Sequence, residues 1–265
     1  MINYFKEQWE NRKKILYLSK IDLIRNYRGA TLGWLWAIIK PVFTIFIYYF
    51  TFVIGLRTSK NMFGYHYFFW LLAGIIPWFF IKDILNQGCD SIRKYSYLVT
   101  KIKFPVSIIP TFCTISNFIL HIILLILSFV IFIVGKAKIS IYIIQLPLYV
   151  FLMLLFFNFL NLLLASLTAI SKDFGNLVKS FVFAIFWLSG IIWDVSLIDV
   201  KWLKQLLILN PVTFIVNGYR NCFIKHIWFF EEPIPFTFFL FITILTIVLS
   251  SFIYNKVKKD IPDLL

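Results

Sequence analysis

Three histidines, His66, His121 and His226, and twelve acids are the residues through which this chain of 265 could move protons or hold a metal. The histidines stand far apart, and none sits in the HExxH spacing that turns two imidazoles to one face of a helix for zinc. Asp194, Asp199 and His226 fall in one stretch between apolar segments and could converge there as an acid/base group. No GxxxxGK[ST] run exists to cradle nucleotide phosphates, and Gly135-Lys136 is followed by Ala. Cys89, Cys113 and Cys222 are too scattered for a disulfide framework or a thiolate metal site. The acids all lie at the ends of apolar segments or between them, so a carrier driven by protons or sodium lacks the ionisable group at depth that it needs. The chemistry left to the chain is that of binding, through aromatic planes and cationic side chains.

The elements that must position those groups are membrane helices. Apolar residues make up 61% and charged residues 14%, against roughly 45–50% and 25% in soluble domains. The apolar blocks are about 20 residues long, the length that ~30 Å of hydrocarbon asks of a helix, and they lack the alternation of barrel strands. An all-α integral membrane protein is expected, with spans near 34–55, 67–84, 107–134, 141–169, 178–193 and 236–254. The first thirty residues carry seven scattered Lys and Arg and match no cleavable signal peptide. With the amino terminus inside, the cytosolic pieces 1–33, 85–106, 170–177 and 255–265, together with Lys82 and Lys179, hold 17 Lys and Arg against 8 in the outer loops 56–66, 135–140 and 194–235. That bias places both termini in the cytosol. The net charge of +14 is then a matter of helix ends and anionic lipid, and no nucleic-acid partner is expected.

Three stretches depart from plain spans. In "WLKQLLILNPVTFIVNGYRN", residues 202–221, Asn210-Pro211 divides an apolar run into halves too short to cross, which suits two re-entrant helices at the mouth of a passage. Were 203–219 a kinked span instead, Lys256, Lys258 and Lys259 would end up outside, against the charge bias. Between the second and third spans, Ile92, Tyr95, Leu98, Val99 and Ile102 mark one stripe of a surface helix ended by Pro105. In "KIDLIRNYRGATLGWLWAIIKP", residues 20–41, Lys40 would lie ~12 Å deep if a helix began at Leu32, but only ~6 Å from Trp36 if the chain first ran along the interface. Either that run, with Trp34 and Trp36 at headgroup level, or an aqueous passage beside Lys40 resolves the charge. Gly29 and Gly33 suit the bend that the first requires. His121, alone at depth, reads as a helix–helix hydrogen bond.

With these residues in view, the chain resembles the membrane subunit of ABC-2-type polysaccharide exporters, the permeases that move lipid-linked O-antigen or teichoic acid. The likeness rests on "DLIRNYRGATLGWLWAIIKP" at 22–41, "LLAGIIPWFF" at 71–80, "SYLVTKIKFPVSIIP" at 96–110 and "LNPVTFIVNGYR" at 209–220, in the family's order. Lys40 is a departure, since many members carry Asn or Gln before that proline. The resemblance implies one transmembrane domain over 1–265: an amphipathic interface helix in 1–33, spans one to five in 34–193 with a coupling helix in 85–106, re-entrant helices in 194–235, and span six with a cytosolic tail in 236–265. It implies a homodimer bound to two copies of a nucleotide-binding ATPase in the bacterial cytoplasmic membrane. ATP and Mg2+ then belong to the partner, and this chain has no cofactor and no catalysis of its own.

On that reading Asp90, Ser91, Arg93, Lys94 and Tyr95 meet the ATPase, and charge reversal at Arg93 and Lys94 is expected to uncouple ATPase activity from export with little loss of folding. Arg25 and Arg28 stand where a lipid diphosphate would arrive. Tyr48, Tyr49 and Phe52 of the first span and Phe183, Phe186 and Trp187 of the fifth, with Lys40, are candidates for the passage, because aromatic planes pack on sugar C–H faces and release them readily. An ABC-2 exporter of drugs or small lipids, and a membrane enzyme on lipid-linked sugar using Asp194, Asp199 and His226, are the rival readings.

Overall fold

The computed structural model describes residues 2–55, 61–101 and 104–264. Two helices open the chain, α1 (Ile2–Glu10) and α2 (Arg12–Asn26), where one interface helix was expected. They run along the first half of α7 (Ile108–Val134): Tyr4 Oη lies 3.2 Å from Thr111 Oγ1, and Tyr27, just past α2, shares a hollow with Leu120 and Leu124. The face of α2 turned to the protein is Ile15, Ser19 and Asp22, while Leu16, Tyr17 and Ile24 stay exposed among its lysines. Gly29 (φ +88°) and Gly33 (φ +52°) then turn the chain into α3 (Trp36–Tyr49), as the bend between interface and span requires.

Among the described residues, five helical runs are long and apolar enough to cross a membrane: Gly33–Gly55, Tyr67–Gly88, Ile108–Val134, Ile141–Ile170 and Pro233–Val257. They include α3, α4 (Tyr67–Asp83), α7, α8 (Leu146–Ile170) and α12 (Pro233–Val257), and α3 and α4 run on into wide π-type turns over Phe50–Gly55 and Ile84–Gly88. Between α3 and α4, where 56–60 lie outside the described residues, a small hairpin pairs β1 (Asn61–Met62) with β2 (Tyr65–His66) through Phe63 and Gly64, both at positive φ.

The fifth expected span is displaced. Helix α9 covers Lys172–Leu188, 17 residues, so the supposed cytosolic loop 170–177 is mostly its first turns. Only Ser171, extended at φ −140°, separates it from α8, and the Ser171 hydroxyl accepts the Asp173 N–H at 3.3 Å. Residues 189–193 leave the helix because Gly190 takes φ +61° and the Gly190 and Ile191 carbonyls turn to Arg220.

The surface stripe also breaks. Instead of one helix there are α5 (Ser91–Lys94) and α6 (Ser96–Lys101), joined at Tyr95. Ile92 and Tyr95 are buried, Leu98 and Val99 are half-buried, and Ile102 lies outside the described residues. The run at 202–221 divides into two helices at the expected residues: α10 (Lys201–Ile208) and α11 (Pro211–Arg220) meet at Asn210, whose side chain accepts the Val212 N–H at 2.9 Å while Pro211 starts the next helix.

Two apolar clusters form the core. The larger joins α4 to α8, α11 and parts of α3, α7, α9 and α12. The smaller gathers Tyr4, Ile15, Ile92, Tyr95, Ile108, Tyr254, Val257 and Ile261, the last from α13 (Ile261–Leu264). It brings the start of α1, the start of α7, the end of α8 and the end of α12 to one end of the molecule. The hairpin, α10 and α11 lie at the other.

Candidate functional site

The aromatics named for the passage divide into two groups. Tyr48 of α3 stacks on Phe186 of α9 with ring centroids 5.3 Å apart. Phe186 is buried and touches Trp78 of α4 at 5.4 Å and Trp187 at 5.7 Å, and Trp187 meets Phe183 at 6.1 Å. Tyr48, Phe183, Phe186 and Trp187 thus form a continuous seam along α3 and α9. Phe183 is 72% exposed and Trp187 42%, so the outer edge of the seam is open among the described residues. Tyr49 turns instead to Phe68 (5.6 Å) and His66 (5.7 Å), and Phe52 to Tyr67 (6.3 Å), both groups at the head of α4. One residue along a helix rotates about 100°, which is why neighbours 48 and 49 part company.

At the opposite corner, Lys40 lies with its ammonium 5.9 Å from the Trp36 ring, beside a hollow that also takes in Lys82, Asp83, Asn117 and His121. His121 Nε2 is 2.7 Å from Tyr219 Oη, the helix–helix bond expected of it. Arg28 is exposed, and Arg25, also exposed, extends over the Tyr95 ring at 5.5 Å.

The residues named for coupling are tied into the molecule more firmly than their charge suggested. Arg93 Nε and Nη2 donate to the carbonyls of Thr168 (2.5 Å) and Ala169 (3.0 Å), closing the last turn of α8. Lys94 Nζ pairs with the buried Asp22 carboxylate at 2.8 Å and reaches Asn26 Oδ1 at 2.9 Å, while the Tyr95 hydroxyl donates to the same Asp22 oxygen. Asp90 pairs with Lys179 of α9, and Ser91 is buried. Reversing Arg93 and Lys94 therefore removes a helix cap and leaves the Asp22 carboxylate without its cation, so the expectation of little loss of folding is corrected. A cleft of about 720 Å3 opens between α4's end, α5 and α9, lined by Gln87, Asp90, Arg93, Lys172, Asn176 and Lys179.

Among the described residues no hydrogen bond or ion pair joins Asp194, Asp199 and His226, the acid/base group considered for the far end. Asp194 is buried with Lys225 Nζ at 3.6 Å and accepts the Ser196 N–H at 2.9 Å; burial pushes its carboxyl up, and Lys225 and Ser196 outweigh that, holding it below the usual carboxylate range. His226 stacks on Tyr142 at 5.4 Å, and Asp199 is exposed.

Arg220 and Asp22 escaped the sequence reading. Arg220 is fully buried over the Trp70 ring at 3.4 Å and donates to the carbonyls of Gly190 (2.6 Å), Ile191 (2.5 Å) and, more weakly, Trp70 (3.5 Å). It fixes α11 to α4 and to the turn after α9. The available signal was an arginine closing an apolar half-helix in "VNGYRN"; Asp22, an acid among lysines, gave none.

Two comparisons identify the architecture. The ABC-2 type transporter family profile matches residues 13–224, from α2 to the turn that follows α11. The chain belongs to the ABC-2 type transporter family. Across 227 residues, 85% of this ABC-2 chain and 86% of the relative, it is 24% identical to the O-antigen export system permease protein RfbA of Myxococcus xanthus. It is 24% identical over 256 residues, 95% of the chain and 94% of the relative, to the protein of the same name from Klebsiella pneumoniae. The family match takes in the α3–α9 seam, the Arg93–Lys94–Asp22 corner and the α10–α11 pair, and it ends before α12.

Proposed function

We propose that this chain is the membrane permease of an ABC exporter of lipid-linked polysaccharide, driven by a separate ATPase. The observation that carries the reading is likeness to O-antigen export permeases along 85–95% of the chain. The seam supports it. Phe43 and Phe46 of α3 and Phe183 and Trp187 of α9 are exposed on the two helices whose aromatics would grip sugar rings. A second copy of the chain covers these side chains and completes the passage, which makes the working unit a homodimer.

Six crossings, rather than the five that length alone supplies, agree with the smaller core cluster. Residues near both ends of the described chain pack together there, and an even number of passes returns the chain to its starting side. Helix α9 is the sixth, ~26 Å long at 1.5 Å per residue and so just able to cross. The end bearing α1, α5, α6 and α13 faces the cytosol of a bacterial cell and meets two ATPase copies, which hold the ATP and Mg2+. Exposed Tyr97 and the rim of the 720 Å3 cleft are freer to dock than Arg93. Arg25 and Arg28 receive the lipid diphosphate beside them.

Stimulation of ATP hydrolysis in the reconstituted complex tests the substrate class. Lipid-linked glycan raises the rate and small amphiphiles do not; the reverse order assigns the chain to export of small lipids or drugs.

A further inference from the structure

Lys40 has no carboxylate within ion-pair distance among the described residues, and neither the seam nor the coupling face uses it. It opens instead on a recess with two halves. The polar half, about 200 Å3, is lined by Lys40 of α3, Lys82, Asp83 and Gln87 at the end of α4, and Asn117 of α7. The apolar half, about 260 Å3, is lined by Leu23 and Ile24 of α2, Trp34, Ile38 and Ile123. Tyr27, Ala37, Leu120 and Leu124 line both, so the two halves lie side by side.

The charges inside do not balance. Lys82 Nζ is 3.9 Å from Asp83, and Asp83 is also within electrostatic reach of Lys40, so two ammonium groups share one carboxylate. An excess cation joined to a hydrocarbon-lined groove, in a chain that spans a bilayer, matches an amphiphile with an anionic head and an acyl tail. A free anion would leave the groove unfilled, and a neutral lipid would leave the cation unpaired. None of Phe183, Phe186 and Trp187 lines the recess, so its occupant stands apart from the aromatic seam.

We propose that the recess between α2, α3, α4 and α7 binds one resident glycerophospholipid, its phosphate held by Lys40 and Lys82 and an acyl chain laid between Ile38 and Leu120. The lipid fastens the end of α2 to α3 across the Gly29–Gly33 turn, where no side-chain hydrogen bond or ion pair joins the two helices among the described residues. This site stands whatever cargo the exporter carries.

Native mass spectrometry of the full-length chain, extracted with its partners in mild detergent, tests it by titration with phosphatidylglycerol, a diacylglycerol of the same chain length and a polyprenyl phosphate. Phosphatidylglycerol is retained at one per chain and diacylglycerol is not. Lys40→Gln with Lys82→Gln weakens phosphatidylglycerol binding about tenfold or more, the loss of one to two charge-assisted hydrogen bonds. Leu120→Trp fills the groove with both lysines in place and abolishes retention, so the test survives if the lysine variant fails to fold. Equal phosphatidylglycerol retention by wild type and Leu120→Trp overturns the proposal, as does equal retention of diacylglycerol. Tighter binding of polyprenyl phosphate, lost on the same substitutions, makes the recess a cargo station and overturns the resident lipid.

Discussion

Asp22 joins the helix that would receive substrate to the segment that would receive force. Its side chain is 3% exposed, and it holds both Lys94 and the Tyr95 hydroxyl. Removing one member of a buried pair leaves the other uncompensated, at a cost of about 3–5 kcal/mol. Lys94→Ala therefore lowers the thermal midpoint in detergent markedly because it strands the buried Asp22 carboxylate, Asp22→Ala lowers it less because the lysine it leaves is 31% exposed, and the double variant is not the sum of the two. Additive effects would mean the contact contributes nothing. The seam separates packing from function in the same way. Buried Phe186→Ala destabilises by about 3–5 kcal/mol, whereas Phe183→Ala, exposed in the monomer, leaves the midpoint in place and lowers export. Equal midpoints for the two would contradict this division. Asp194 gives a pH signature. Its folded carboxyl titrates below the unfolded value of about 4, so its contribution is complete above that pH and is lost as pH falls through the lower folded value. Asp194→Asn thus narrows the stability difference between neutral and strongly acidic buffer, and an unchanged pH profile would show the Lys225 pair to be inert.

At the scale of elements, breaks matter more than runs. Asn210-Pro211 was legible because a proline start and an asparagine cap need only two adjacent residues. The Gly29–Gly33 bend was legible because glycine alone enters positive φ freely. The end of α9 was not. The helix stops where Arg220, some thirty residues away in sequence, draws off the Gly190 and Ile191 carbonyls, and no local pattern encodes that. The broken stripe at 91–101 failed for a related reason: its apolar side was visible, but Tyr95 is pulled to Asp22 and Arg93 to α8 by partners far along the chain. Arg220→Lys tests the outer junction. Lysine cannot reproduce the planar fork over Trp70, so the substitution costs about 2–4 kcal/mol and lowers the amount of folded protein. Gly74→Ala should have a similar effect, since its Cβ would lie 2.4 Å from Arg220 Nη2. Wild-type stability in both variants would remove Arg220 from its place as the junction.

For the whole molecule, the membrane class and the approximate limits of five spans followed from composition and length, because hydrocarbon thickness is a stringent ruler. The candidate passage was half legible: Tyr48 and Phe186 do meet, while Tyr49 and Phe52 pack on the head of α4, a difference of helix rotation that spacing within one helix cannot settle. Lys40 was visible as an anomaly but not as part of a recess, because the other walls come from α2, α4 and α7. On the proposed function these parts belong to a division of labour, in which this chain supplies the route and another polypeptide supplies the energy. Proteoliposomes holding the purified chain alone, the chain with its ATPase, and the chain with an ATPase disabled in hydrolysis measure that directly through ATP turnover and movement of lipid-linked glycan. The account predicts both activities only with the competent ATPase. Hydrolysis by the chain alone, or transport with the disabled partner, would contradict it.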